Sequence, residues 1–407
     1  MSRILWCFAL CWLGPALLLP RAAAQVQFQI AHAFGAGDDG EALWSGVVVD
    51  ADGNLFGTAA GGGAYGLGMV YELSPGEAGA WAESVPYSFG ASGANDGRYP
   101  YGPVTLGSGG ILYGGTPEGG AHGKGVAYSL TPGVTGWTET ILRSFSFRDG
   151  VDGFSSNLAL DAEGNLFGRG GTFELSPSAE GWVFTQTCTW LFVCAVAEED
   201  GTALGPGDRL LAAGVDGKYR VGNVYAVVPT PNGWKAGDLY DFGGFPDDGQ
   251  IPAFGPLVAD SAGNIYGVTR QGGAYTCGNT GCGTIYKLTR QANGSWQEAI
   301  LYNFRPPWTE TGYNPTAGVI LDKGGNLYGT TGYGGPCDCG VVYQLLHHQN
   351  DTWSYEALHT FTNTDGALPY SALTLDSHGN LFGTTVGGGP SGGGVVYELS
   401  PTNTGTN

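Results

Sequence analysis

The residues of this 407-residue chain that could do chemistry are carboxylates set among glycines. Asp39-Gly40, Asp96-Gly97, Asp152-Gly153, Asp248-Gly249 and Asp365-Gly366 recur along it, and Asp38, Glu41, Glu118, Asp247, Glu310 and Asp338 lie in the same or matching loops. Glycoside hydrolysis needs two carboxylates facing each other across a bond, and a polysaccharide lyase needs a base with charge neutralisation. So many acids are available that no pair stands out, and Asp-Gly is ordinary turn chemistry, so these carboxylates are expected to build turns. A Ser-His-Asp mechanism needs a histidine free to act as base. Only His122, in a glycine-rich loop with Lys124, lies where a ligand could reach it, and no nucleophile accompanies it. No catalytic residue is assigned. Aromatic residues follow the lead-in carboxylates at Trp44, Tyr101, Phe254, Tyr313 and Tyr370. Rings round a common mouth could stack on sugars, and with His122 and Lys124 they form the candidate ligand-binding set; packing between neighbouring units is their other use.

Metal chemistry has two weaker signals. Asp50-Ala51-Asp52-Gly53-Asn54 matches part of a calcium loop, but sister segments carry Glu163, Ala262, Gly324 or His378 at the second Asp. Turn-making is therefore the expected role and calcium a minor alternative. Beyond the N-terminal segment stand Cys188, Cys194, Cys277, Cys282, Cys337 and Cys339. Disulfides are expected, with local pairs preferred. Cys337 and Cys339 are so close that their own bridge would be strained, so exchange with Cys277 and Cys282 stays open, as does a zinc site made of that quartet.

What must position these groups is a repeated unit. Gly379-Asn380-Leu381-Phe382-Gly383 returns as Gly53-Asn54-Leu55-Phe56-Gly57, Gly164-Asn165-Leu166-Phe167-Gly168, Gly263-Asn264-Ile265-Tyr266-Gly267 and Gly325-Asn326-Leu327-Tyr328-Gly329, with weaker copies at Gly110 and Gly207. The lead glycines recur about every 54 residues, the period of a strand-built propeller or array. Each unit reads as an apolar strand, the Asp-x-x-Gly-Asn turn, a second strand, a glycine-rich loop, a third strand ending at Ser-Pro or its equivalent, and a fourth strand. The fourth runs from Trp to Phe over eight residues: Trp81 to Phe89, Trp137 to Phe145, Trp234 to Phe242, Trp296 to Phe304 and Trp353 to Phe361. An even spacing predicts both rings on one strand face, packing between blades.

Seven third strands are followed by only six fourth strands. Val26-Gln27-Phe28-Gln29-Ile30-Ala31-His32-Ala33-Phe34 alternates like a strand and supplies the missing one, with Phe34 standing where Phe361 stands. The fold class predicted is all-β, a seven-bladed propeller of four-stranded blades over residues 25–401, closed by both termini, with a polar tail at 402–407. Blades three and four break the pattern, at Gly168-Arg169-Gly170-Gly171 and at Trp190 to Asp200.

Met1-Ser2-Arg3, the apolar run Ile4 to Leu19 and Ala22-Ala23-Ala24 read as a signal peptide over 1–24, and hence a secreted or periplasmic protein that can associate with a cell surface. Loss of Arg3 and Arg21 with that leader takes the formal charge from −20 to −22. So acidic a surface excludes nucleic acid and anionic membrane as partners. No membrane insertion is expected after cleavage; a glycan or an extracellular protein remains as partner, with the chain a monomer.

The repeated Asp-x-x-Gly-Asn-Leu-[Phe/Tyr]-Gly-Thr-Thr segments, the glycine-rich loops and the Gly-x-[Val/Ile]-[Tyr/Phe]-x-Leu-[Ser/Thr]-Pro endings resemble the GloVer tandem-repeat family of exported bacterial proteins. The resemblance covers nearly the whole chain after residue 24 and implies an exported repeat protein, without a catalytic residue set to carry over. The function expected is a non-catalytic binding or scaffold propeller whose loop face contacts a glycan or surface protein. A secreted polysaccharide hydrolase or lyase using that face, and a purely structural repeat protein, are the alternatives.

Overall fold

A computed structural model describes residues 26–402 apart from 36, 150–157, 169–172, 188–202, 206–208, 216, 232, 254 and 307–310. Seven antiparallel four-stranded blades form a β-propeller, and the described residues contain only short 3-10 turns as helix. Blade one runs Val48–Val49, Leu55–Ala59, Met69–Pro75 and Trp81–Ser88 from the inside out, and the other blades follow the same order. In blade seven the outer strand is Val26–Ala33, paired antiparallel with Val395–Pro401 from Val26↔Pro401 to Ala33↔Val395. The ring is thus closed by the N-terminal strand, which leaves Val395–Pro401 paired on both sides. The signal segment, Cys188, Cys194, Phe254, Glu310, Asp152, the irregular stretch from Trp190 to Asp200 and most of the polar tail lie outside the described residues. In blade three the strands flanking residues 169–172 pair as close as Gly168↔Phe173.

The Asp-x-x-Gly-Asn motif makes the turn between first and second strands. Asp50 Oδ1 accepts the Asp52 and Asn54 amides at 2.9 and 2.8 Å, its Oδ2 accepts the Asn54 side chain at 2.8 Å, and Gly53 takes φ 87°. Asp161, Asp260, Asp322 and Asp376 repeat the arrangement. Both carboxylate oxygens accept hydrogen bonds within the turn in all five copies that carry the aspartate, the calcium-like one included. The glycine that follows Phe or Tyr has a different cause. A Cβ on Gly57, Gly114, Gly267 or Gly383 would lie 2.3 Å from the hydroxyl of Tyr71, Tyr128, Tyr286 or Tyr397 respectively, each a fully buried third-strand tyrosine.

The eight-residue Trp-to-Phe interval does not keep both rings on one face. The fourth strand carries one extra residue against the third: Ala127 pairs with Arg143 but Tyr128 with Ile141, and the same shift recurs in blades one, four, five, six and seven. A β-bulge reverses the alternation of side chains beyond it. Trp137 therefore meets Phe56 of the preceding blade at 5.8 Å, whereas Phe145 meets Phe173 of the following blade at 5.2 Å. Trp81 on Phe382, Trp182 on Tyr113, Trp234 on Phe167 and Trp353 on Tyr266 show the same backward packing. These rings are blade-to-blade cement. Second-strand threonines add stitches near the axis, with Thr58 bonding the Gly102 carbonyl at 3.0 Å and Thr384 that of Ser45 at 2.8 Å.

Candidate ligand-binding face

The loop leading into the innermost strand lies beside the loop joining the second and third strands. Glu41 bridges Gly61, Tyr313 bridges Tyr333 and Ala367 bridges Gly387, while Gly97-Arg98 pairs with Glu118-Gly119. In five blades one lead-in residue is held left-handed: Ala42 (φ 61°), Tyr99 (57°), Ile251 (53°), Asn314 (52°) and Leu368 (59°). Such φ values are strained for side chains of this size, a β-branched one above all. Four of them are held by an amide bond to the preceding blade: Tyr99 to Leu67, Ile251 to Val221, Asn314 to Cys282 and Leu368 to Cys339, at 2.8, 2.6, 2.9 and 2.8 Å.

Two residues beyond the left-handed position stand Trp44, Tyr101 and Tyr370. Blades five and six have Ala253 and Thr316 there. Aromatic rings consequently occupy part of the mouth rather than a full circle. Trp44 stacks on Tyr370 (5.9 Å, 15°) and meets Tyr101 edge-on (6.3 Å). Tyr370 meets Tyr333 at 6.2 Å with a hydroxyl-to-hydroxyl bond of 2.9 Å, and Tyr333 stacks on Tyr313 at 5.6 Å. Five rings from blades two, one, seven and six thus form one belt. Trp44 is 43% exposed and Tyr101 42%. A pocket of about 450 Å³ opens beside them, lined by Glu41, Trp44, Tyr99 and Tyr101 and by the backbone of Gly61 and Gly62. Gly332 admits the Tyr370 ring, since a Cβ there would sit 2.2 Å from it.

Burial, with the Asp338 carboxylate 3.1 Å away, pushes the Tyr313 hydroxyl up to about 12. Burial and Tyr333 raise Tyr370 too, against the opposing pull of Arg270. The Tyr313 and Tyr370 hydroxyls therefore stay neutral and can exchange hydrogen bonds with a ligand. Asp338 is flanked by the Cys337–Cys339 disulfide, and a second bridge joins Cys277 and Cys282. Local pairing, and not exchange or a zinc quartet, is what these four cysteines adopt.

Of the seven ligand-binding candidates, Trp44, Tyr101, Tyr313 and Tyr370 come together. Phe254 lies outside the described residues. His122 is exposed on blade two's loop and Lys124 lies 3.8 Å over the Phe147 ring; neither lines the pocket beside Trp44. Tyr99 and Tyr333 were not among the candidates. Tyr333 could have been read from Gly332-Tyr333-Gly334, a ring in a loop otherwise built of small residues.

Glu41 faces the mouth, but two of the Asp-Gly aspartates are drawn inward. Asp96 and Asp248 are 2% and 3% exposed. Asp96 accepts the Gly90 and Ser92 amides at 2.6 and 3.2 Å, and Asp248 the Gly243 and Gly244 amides at 2.7 and 2.9 Å. Asp149 takes that role in blade three, bonded to Ser146 and Arg143. Each then meets groups from two blades. At the junction of blades one and two, the Tyr87 hydroxyl lies 2.8 Å from Asp96 and 2.7 Å from Glu139; between four and five, Tyr240 lies 3.4 Å from Asp248 and 3.3 Å from Glu298. Where the third residue is aromatic it stacks instead, Phe28 on His359 at 3.8 Å and Tyr355 on Tyr302 at 4.5 Å. The paired carboxylates are inter-blade joints.

Burial, then the facing Asp248 carboxyl, raises Glu298 from an ordinary 4.5 to about 8. Between those values the folded protein keeps a proton that the unfolded chain releases, so stability is full below about pH 4.5 and falls as pH rises towards 8. Each tenfold change in proton affinity is worth about 1.4 kcal/mol, so the loss is at most on the order of 5 kcal/mol. Thermal melts stepped across that window should show a falling transition temperature that is flatter in Glu298→Gln; an unchanged slope in the variant would refute this.

The profile of the Gloeobacter/Verrucomicrobia repeat matches residues 21–205 and again 213–407. The chain belongs to this family. Among solved structures, it resembles the extracellular domain of the one-component system BT4673 from B. thetaiotaomicron, with a TM-score of 0.55 at 10% identity over 91% of this chain. It also resembles an ancestral GH74 enzyme, with a TM-score of 0.53 at 11% identity over 83% of this chain. The chain spans 39% and 47% of the lengths of those two structures. At such identities the likeness establishes the propeller fold and nothing finer. No curated protein matches the chain in sequence. Among the described residues, no helix is long and apolar enough to cross a membrane.

Proposed function

We propose that this member of the repeat family is an exported, monomeric binding propeller whose loop face takes a neutral glycan along the belt Tyr101, Trp44, Tyr370 and Tyr333. The observation that carries the reading is the continuous run of rings with a half-exposed Trp44 at its centre, beside a pocket edged by Glu41. Aromatic faces stack on the apolar faces of sugar rings, and tyrosine hydroxyls and loop amides serve the sugar hydroxyls. The acidic overall charge of −20 disfavours polyanions as partners. No cofactor enters this reading. The inter-blade position of the paired carboxylates supports binding over hydrolysis.

A glycan array, run beside reducing-sugar and unsaturated-product assays on the same polysaccharides, tests it. Binding without product is expected, weakened about 5- to 30-fold by Trp44→Ala, which removes one stacking platform worth roughly 1–2 kcal/mol. Product formation would instead establish the hydrolase or lyase alternative. Silence in both assays would leave a structural repeat protein.

A further inference from the structure

The seam where the ring closes holds a donor set that the other described junctions lack. Three segments converge there: His32 from the closing N-terminal strand, Asp39 from the lead-in loop of blade one, and Glu83 from its fourth strand. His32 Nε2 lies 3.2 Å from Asp39 Oδ1 and 3.5 Å from Glu83 Oε2, and one donor atom from each residue falls within 4.8 Å of the others. Nitrogen and oxygen ligands about 2.0–2.1 Å from one tetrahedral zinc ion stand roughly 3.3 Å apart. The side chains are 22%, 36% and 20% exposed, so an ion and its waters can reach them.

The sister junctions make the contrast. Tyr87 and Tyr240 each place a phenol between the same two carboxylates, and at blade two Ser92 adds a hydroxyl 2.6 Å from Glu139. A phenol is a poor ligand while protonated, and it satisfies the acids by hydrogen bonding. His359, the other imidazole at this position, faces Asp365 but has Phe28 where a second carboxylate would stand. His32 alone, among the described residues, joins an imidazole to two carboxylates. Both first ligands are also oriented from behind. Asp39 Oδ2 accepts the Gly35 amide at 2.5 Å, and the buried Phe34 ring lies edge-on to the imidazole at 4.5 Å. Such supporting contacts fix ligands in metal sites.

We propose that His32, Asp39 and Glu83 bind one divalent transition-metal ion, zinc by donor type, with water completing its shell, so that the ion clips the closing strand to blade one. One nitrogen with two carboxylate oxygens suits zinc or manganese better than calcium, which takes six to eight oxygens. Because two of the ligands belong to the first blade and one to the last strand of the ring, binding is linked to closure and raises the melting temperature with ion concentration.

Titration calorimetry of zinc chloride into chelator-treated full-length protein is expected to give one saturable site and a concentration-dependent rise in melting temperature. His32→Tyr installs the side chain that the sister junctions already accommodate, so it should fold while losing at least tenfold in affinity, as should Glu83→Gln. Tyr87→His supplies the missing imidazole beside Asp96 and Glu139 and should raise the stoichiometry to two. Absence of saturable binding by the wild type, or binding undiminished in both loss variants, would overturn the assignment. Circular dichroism of each variant shows whether a loss reflects the site or the fold.

Discussion

A chain starting at Gly35 in place of Val26 should fail to form the cooperative native ring. The missing strand pairs along the whole of Val395–Pro401, and it brings Phe28 against His359 and Phe361 and Phe34 against Tyr71. Burying Phe34 fully is worth about 1.5–3 kcal/mol, and the half-buried Phe28 and Ile30 add somewhat less each. Their sum is comparable to the roughly 5–15 kcal/mol that stabilises a whole domain. Without them Val395–Pro401 becomes an open, apolar edge inviting self-association. Size-exclusion chromatography and thermal unfolding of the two chains side by side should show aggregation or a lost transition for the shorter one, with partial recovery on adding a peptide of residues 26–34. A shorter chain that melts like the longer would refute closure by this strand.

The second large effect is expected from Gly383→Ala. Its φ is ordinary, so the methyl's only fault is position: 2.3 Å from the Tyr397 hydroxyl, 2.5 Å from the carbon bearing it and 2.9 Å from Leu373. Tyr397 is fully buried and backed by Phe361 at 5.2 Å, so its ring has nowhere to retreat. Overpacking of this kind costs about 3 kcal/mol. Tyr397→Phe in the same chain removes the nearest clashing atom and should restore part of the loss, whereas Gly237→Ala, with nothing within 4 Å of its Cβ, should cost little by comparison. Chemical denaturation of the three variants reads these differences; equal stability of Gly383→Ala and wild type would show that the ring can shift. Blade four illustrates the compromise already in the chain, with Ala212 opposite Tyr225 and the ring edge lying 3.5 Å from where a Cβ on Gly214 would be.

The strands, their order and the closure were legible because each is a local pattern repeated about every 54 residues. One copy of Asp-x-x-Gly-Asn is a turn; many copies in register with Leu-Phe-Gly and a tyrosine strand are a ring. Pairing of Cys277 with Cys282 and Cys337 with Cys339 was within reach for the same reason, being local. The bulge was not, because an extra residue in the fourth strand leaves the eight-residue Trp-to-Phe spacing untouched while sending Trp137 back to Phe56 and Phe145 forward to Phe173.

The site divides along the same line. That Trp44, Tyr101 and Tyr370 lie on the loop face follows from sequence, since each comes just after a lead-in loop. That they form one belt with Tyr333, that Asp39, Asp96 and Asp248 are drawn between blades, and that His32 meets Glu83 fifty-one positions later, only the closed ring decides. Repetition writes the blade into every copy, but which side chains meet across a junction depends on the rotation from one blade to the next and on the parity set by each bulge, and neither is a property of any single stretch of chain.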